Sequence, residues 1–341
     1  SVTIGKVLSI TILNHIDPNQ ENSSETGENM DGKARFRWSL PALIFIVSMI
    51  LGGCATTSRD THGQLDLTPQ ARATAQKHEQ LGDRFFEKNM FEQAFNEYAR
   101  ALQAAPDSDR VQCKKGMVLL RGGLSREARG EFEAVLSRNP ENVSALEGLG
   151  MALLQLGKDG EALQRFDVAV RIAPTAWKSH NYRGIILDRQ GEHKAAIKAF
   201  SAAQAVVPGN GMVANNLGVS HLMAGETEAA VRVLRRALRK GYREPLVYNN
   251  LGVALGRSGK YEEAFVAFRQ AGSEAQSYNN LGCVYAAEGM MDQAEHCFRK
   301  AIGLSPSYYA AAGDNLNRMR SGLSPELIGK GGAMLGQPAA K

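Results

Sequence analysis

Glycine recurs along this chain at positions 82, 116, 150, 184, 218, 252 and 282, in five steps of 34 residues and a last step of 30. Twelve residues beyond each glycine stands an alanine, at 94, 128, 162, 196, 230, 264 and 294. Sixteen beyond each stands a large apolar residue: Tyr98, Phe132, Phe166, Phe200, Leu234, Phe268 and Phe298. Prolines close five of the copies, at 106, 140, 174, 208 and 306. Registers held over seven copies define a repeated unit, and a unit this short must stack on its neighbours to bury an apolar face. Within each copy two stretches of helical apolar periodicity flank a short turn, which is Gly-Lys, Gly-Glu or Gly-Met in five of the seven. The pattern predicts helix-turn-helix hairpins and an all-α fold.

These residues resemble the tetratricopeptide (TPR) repeat, whose 34-residue pattern runs Leu-Gly, an aromatic or Leu, Ala, Phe, Ala, Pro. The resemblance covers residues 75–308, about two-thirds of the chain. It implies a right-handed superhelix of seven hairpins with a concave face lined by the first helix, A, of each repeat. With Ala75 as position 1, the glycine falls at position 8 and the alanine at position 20, where small side chains let helices A and B approach. The large apolar residue at position 24 is expected to fill the gap against the next A helix, and the proline at position 32 to stop helix B. Gly123, Gly157, Gly191, Gly225, Gly259 and Gly289 hold position 15, where helix A turns.

Two departures from the pattern carry information. Repeat six, 245–274, is four residues short and lacks its closing proline, so a shortened helix B or loop and a change of pitch are expected there. After Pro306 the chain continues helically over 309–320, as a cap for the last apolar face. The Gly-rich tail 321–341 is expected to be disordered.

Upstream of the repeats the sequence reads as an address. From Met30, Lys33, Arg35 and Arg37 form a basic region, and Trp38 to Leu51 is an apolar run of signal-peptide length, short for a membrane span. It ends in Leu51-Gly52-Gly53-Cys54, which resembles the bacterial lipobox. That resemblance implies cleavage before Cys54 and lipidation of its thiol, so the expected divisions are a signal peptide at 30–53 and a lipidated cysteine with a flexible tether at 54–74. Ala55, where an Asp would retain such lipoproteins in the inner membrane, implies the outer membrane of a Gram-negative bacterium, with the protein facing the periplasm. Residues 1–29 do not fit a secretory leader beginning at Met30. An over-extended reading frame and a genuine N-terminal extension both account for them.

Composition narrows the function further. Aromatic residues are 7% of the chain and glycine is frequent at 35 residues, which disfavours an enzyme-like aromatic pocket and suits close backbone packing. The net charge of +5, or +6 for a chain starting at Cys54, is too mild to indicate nucleic acid. The cysteines, at 54, 113, 283 and 297, form no CxxC pair and no Cys/His cluster, and Cys283 and Cys297 fall at positions expected to face different ways. His180, His193, His221 and His296 occupy different repeat positions, which argues against a shared metal site. No nucleophile elbow, P-loop or HExxH is present, so no enzyme, cofactor (apart from the covalent lipid) or small-molecule substrate is expected.

The candidate binding site is the A-helix face, where the TPR resemblance implies that positions 2, 5, 9, 12 and 13 point into the groove. Position 5 is Asn in four consecutive repeats: Asn181, Asn215, Asn249 and Asn279, with Asn216, Asn250 and Asn280 beside three of them. A carboxamide donates and accepts at once, so this row suits an extended peptide backbone. The alternative is that asparagine at position 6, as at Asn216, Asn250 and Asn280, is simply common in the TPR pattern and bonds neighbouring helices. The run Arg232, Arg235, Arg236, Arg239, Lys240 and Arg243 reads as a solvated face or a surface for an acidic partner or lipid head groups. A lipobox joined to this array resembles the TadD lipoproteins of tight-adherence pilus systems, and more loosely the pilotins of type IV pili. That implies a scaffold for secretin or other pilus-assembly components. The alternative is an NlpI-like adaptor for peptidoglycan or protease machinery.

Overall fold

The structure, a computed structural model, describes residues 67–304 and 309–323. The leader, Cys54, the tether up to residue 66, Pro306 and the tail beyond 323 lie outside the described residues. Those described form fifteen α-helices and no strand. They divide into two compact units that meet in sequence at Pro174 and Thr175.

The first unit holds three hairpins: α1 (Pro69–Glu87) with α2 (Phe91–Ala104), α3 (Asp109–Arg121) with α4 (Ser125–Arg138), and α5 (Val143–Gln155) with α6 (Asp159–Ile172). The second holds four: α7 (Trp177–Arg189) with α8 (His193–Val206), α9 (Gly211–Met223) with α10 (Thr227–Arg239), α11 (Pro245–Arg257) with α12 (Tyr261–Ala271), and α13 (Glu274–Ala287) with α14 (Met291–Leu304). α15 (Tyr309–Arg320) packs on α14 as the expected cap. Seven hairpins and a cap are thus in place, and they follow the TPR pattern.

The start of the array lies earlier than the repeat register suggests. α1 opens at Pro69, inside the stretch 54–74 expected as tether, because Thr68 accepts from the Ala71 N–H at 3.2 Å and proline suits the first helical turn. At the other end, residues 321–323 are not free tail. They form the turn that closes α15, with the Leu323 N–H on the Arg318 carbonyl at 2.7 Å.

Each hairpin closes on the same small contacts. All seven position-20 alanines are 0% exposed. Opposite them the position-8 glycines meet the large residue at position 24 of their own repeat; a Cβ on Gly150 would lie 2.6 Å from the Phe166 ring. The aromatic therefore seals its own hairpin, whereas the sequence reading sent it to the next A helix. Phe132 does both, touching Gly116 of its own repeat and Gly148 of the following one. The A-to-B turn needs left-handed backbone: Gly157 has φ 74°, and in repeat one Asn89 takes the same position at φ 56°.

Helix B ends for a steric reason. At the four closing prolines among the described residues, the residue before is pushed out of helical geometry, as at Ala105 (φ −139°, ψ 78°) and Ala173 (φ −127°, ψ 94°). Repeat five lacks that proline and stops differently. Gly241 turns at φ 95°, and Tyr242 lays its ring on Gly211, where a Cβ would come within 1.8 Å. In repeat six the four missing residues come from both places expected: α12 has 11 residues, and only Gly272 and Ser273 separate it from α13.

Candidate functional site

The asparagines singled out by the sequence lie on consecutive A helices of the second unit, and their carbonyl oxygens are engaged there. Asn181 Oδ1 accepts from Asn216 Nδ2 at 3.1 Å, and Asn215 Oδ1 from Asn250 Nδ2 at 2.8 Å. Asn249 Oδ1 accepts from Asn280 Nδ2 at 3.3 Å, and Asn279 Oδ1 from Asn315 Nδ2 of α15 at 3.0 Å. Each rung joins position 5 of one A helix to the next A helix, at a sequence separation of 35 or 36 residues, or 31 across the short repeat. Asn181, Asn215 and Asn279 are buried at 3%, 5% and 0% exposure, and Asn249 is half-buried.

The geometry revises what this row offers a ligand. Its acceptor side is turned to the neighbouring helix. Asn279 also donates, to Asn280 Oδ1 at 3.3 Å. Among the described residues, the Nδ2 groups of Asn181, Asn215 and Asn249 make no hydrogen bond. What the face presents is a set of amide donors at repeat spacing; Met212, Leu246 and Arg257, at other groove positions of repeats five and six, are half-buried. Arg257 is held by its Nη1 donating to the Leu222 carbonyl at 3.1 Å. Asn216, Asn250 and Asn280 act as the donors of the rungs.

The first unit uses charge at the same repeat position. Glu79, buried at 3% exposure, pairs with Lys114 Nζ at 2.8 Å and Arg110 Nη1 at 2.6 Å. Glu79 and Lys114 stand 35 residues apart, as do Asn181 and Asn216. Lys114 also reaches Asp83 at 2.8 Å, and the Tyr98 hydroxyl donates to Asp83 at 2.7 Å. Burial first, and then that carboxylate, push the Tyr98 hydroxyl pKa well above the usual phenol range. This network was not foreseen, although the 35-residue spacing of opposite charges was available to find it.

A second buried cluster was also missed. Asp188, 5% exposed at position 12 of repeat four, accepts from the Ser220 hydroxyl of the next A helix and lies 3.0 Å from His193 Nδ1. Burial raises its carboxyl pKa, while the Ser220 and His193 bonds act in the opposite direction. Ser220 is 0% exposed, so its hydroxyl has no access to a substrate. The remaining titratable groups are similarly local: His78 pairs with Glu97 and His221 with Glu226, each at 2.7 Å. Cys113, Cys283 and Cys297 are buried and form no disulfide among the described residues, and burial pushes Cys113 up to about 12 and Cys297 up to about 11. Among the described residues no three His, Cys, Asp or Glu side chains gather as a metal site, and no helix is long and apolar enough to cross a membrane.

Comparison with known proteins agrees with the repeat reading. Residues 113–177 and 215–279 match one tetratricopeptide repeat model, and residues 275–308 match another. Neither model is of an enzyme. No curated protein sequence matches the chain. Among solved structures, a tetratricopeptide repeat protein from Parabacteroides merdae is 17% identical, covering 73% of this chain and 99% of its own at a TM-score of 0.49. The Thermus thermophilus TPR protein TTC0263 is 20% identical over 56% of this chain and 99% of its own, with a TM-score of 0.46. YrrB, described as a TPR protein with an unusual peptide-binding site, is 22% identical over 54% of this chain and 97% of its own, at 0.44.

Proposed function

We propose that this tetratricopeptide-repeat chain is a non-catalytic scaffold, fixed by a lipid on Cys54 to the periplasmic side of the outer membrane, whose A-helix face binds protein partners. The observation that supports partner binding most is the row of asparagines. Their oxygens bond the next helix, while Asn181, Asn215 and Asn249 keep amide donors that match the carbonyls of an extended backbone. The anchor rests on Lys33, Arg35 and Arg37, the apolar run 38–51 and Leu51-Gly52-Gly53-Cys54. Several acyl chains at about 0.8 kcal/mol per buried CH₂ make such an anchor stable.

With helix α1 starting at Pro69, fourteen residues separate it from Cys54. A flexible chain of that length spans about 20 Å at ~5–6 Å × √n, which keeps the start of the repeats near the membrane. Secretin or other pilus-assembly components are the proposed class, on the resemblance to TadD lipoproteins. Affinity capture from detergent-solubilised envelopes tests this, comparing the wild type with Met212→Glu/Leu246→Glu, which alters the A-helix face. Secretin or pilus subunits that bind the wild type and not the variant support the reading. Recovery of cell-wall hydrolases in their place overturns it in favour of the peptidoglycan adaptor.

A further inference from the structure

Helix α10 carries Arg232, Arg235, Arg236 and Arg239, followed directly by Lys240 and then by Arg243 in the loop. Spacings of three, four and seven put the four helical arginines on one side. The opposite side is Ala230, Val231, Leu234 and Ala237, all buried. At 1.5 Å rise per residue these arginines occupy about 10 Å of helix. Arg235 is paired with Glu263 of α12, and Lys240 Nζ donates to the Pro208 carbonyl at 2.9 Å. Arg232, Arg236, Arg239 and Arg243 are exposed, and among the described residues they form no ion pair. The acids nearest in sequence are Glu226, engaged by His221, Glu228 and Glu244, and among the described residues no ion pair joins Glu228 or Glu244 to these arginines.

Stability does not explain this face, since like charges three and four residues apart on a helix repel. The negative end of the helix favours cations in its last turn, which accounts for Arg236 and Arg239 but not for Arg232 or Arg243. The charge also runs beyond one helix. Lys198 of α8 holds the repeat position of Arg232, and Arg269 of α12 holds that of Arg235.

We propose that this arginine face docks on anionic phospholipid head groups, an inference that rests on the lipid-anchor reading because that anchor brings the repeats to a bilayer. Anchors of a protein interface are aromatic residues or arginines held in well-packed pockets, whereas Arg232, Arg236, Arg239 and Arg243 stand exposed. A charged lipid surface requires only a density of cations within a Debye length, each contributing independently of precise fit.

The test uses the full chain, processed in a bacterial host, with vesicles of phosphatidylcholine alone and of phosphatidylcholine mixed with phosphatidylglycerol. Flotation with the neutral vesicles reads the anchor. Modification of Arg232, Arg236, Arg239 and Arg243 by phenylglyoxal, followed by mass spectrometry, reads the face. The proposal expects modification to slow at least about tenfold on anionic vesicles, to be unchanged on neutral ones, and to recover in high salt. Equal rates on the two vesicles overturn it. A chain that fails to float with neutral vesicles but is still protected on anionic ones overturns the anchor and leaves the arginine face standing.

Discussion

Breaking one asparagine rung should cost more than losing one ordinary surface contact, and a double-mutant cycle can isolate the reason. In the second unit Asn250 Nδ2 donates to Asn215 Oδ1 at 2.8 Å, with the two residues 6% and 5% exposed. Asn250→Ala leaves the Asn215 oxygen buried without its donor, and Asn215→Ala leaves the Asn250 amide without its acceptor. Each single change should therefore destabilise by about 1–3 kcal/mol, the penalty for an orphaned buried polar group. The double change removes both members, so its cost should fall short of the sum by about 1 kcal/mol. The rung from Asn280 to Asn249 is longer, at 3.3 Å, and its acceptor is half-buried. Its coupling should stay below about 0.5 kcal/mol, because water competes for the exposed partner. Urea unfolding followed by circular dichroism gives the four free energies of each cycle. Hydrogen exchange in α9 and α11 localises the effect, which a repeat array requires because neighbours unfold semi-independently. Additivity within about 0.3 kcal/mol at Asn215 and Asn250, or stronger coupling at Asn249 and Asn280, would refute the reasoning.

Other consequences concern backbone, packing and charge. Gly157→Ala should destabilise by about 1 kcal/mol through its φ of 74°, whereas Asn89→Gly, at φ 56°, should be neutral or slightly stabilising in thermal unfolding. Gly150→Ala, whose Cβ would come 2.6 Å from the Phe166 ring, should cost about 1–3 kcal/mol. Gly130→Ala, on the exposed side of α4 with nothing near its Cβ, should stabilise by about 0.5–1 kcal/mol. Asp188 has its folded pKa raised by burial, so it favours the folded state when protonated and loses that contribution as pH rises through the folded pKa. Asp188→Asn should therefore gain in stability relative to the wild type as pH rises above about 4, the unfolded carboxyl value. Urea titrations on a His193→Gln background remove the imidazole's own titration, and a flat difference would contradict the burial argument.

The hairpins were legible because their determinants are local and recur at fixed spacing. Gly150, Ala162 and Phe166 can meet only if two helices fold back between them, and the same spacing in seven copies leaves no other register. What the sequence hid was the direction of individual side chains. The residue type at position 5 does not say which end of the carboxamide a ligand would meet, and Asn215 turns its oxygen to Asn250 on the next A helix. Burial decides that, and burial depends on neighbours 35 residues away. Local exceptions were equally opaque. Pro69 reads as loop until Thr68 is seen to cap it, and Tyr242 ends repeat five without proline only because Gly211 leaves room for its ring. The short repeat was legible in length but not in consequence: its rung survives at a separation of 31, since the loss falls in α12 and its loop.

The central claim, that a membrane-anchored A-helix face binds protein, is tested most directly by photo-crosslinking in intact envelopes. A photoreactive residue at Leu246, on the A-helix face, is compared with one at Val266, which is 60% exposed on α12. The account predicts a protein adduct from position 246, absent from position 266 and lost when Cys54→Ala abolishes the anchor. An adduct confined to position 266, or none from position 246 in the anchored chain, would contradict it.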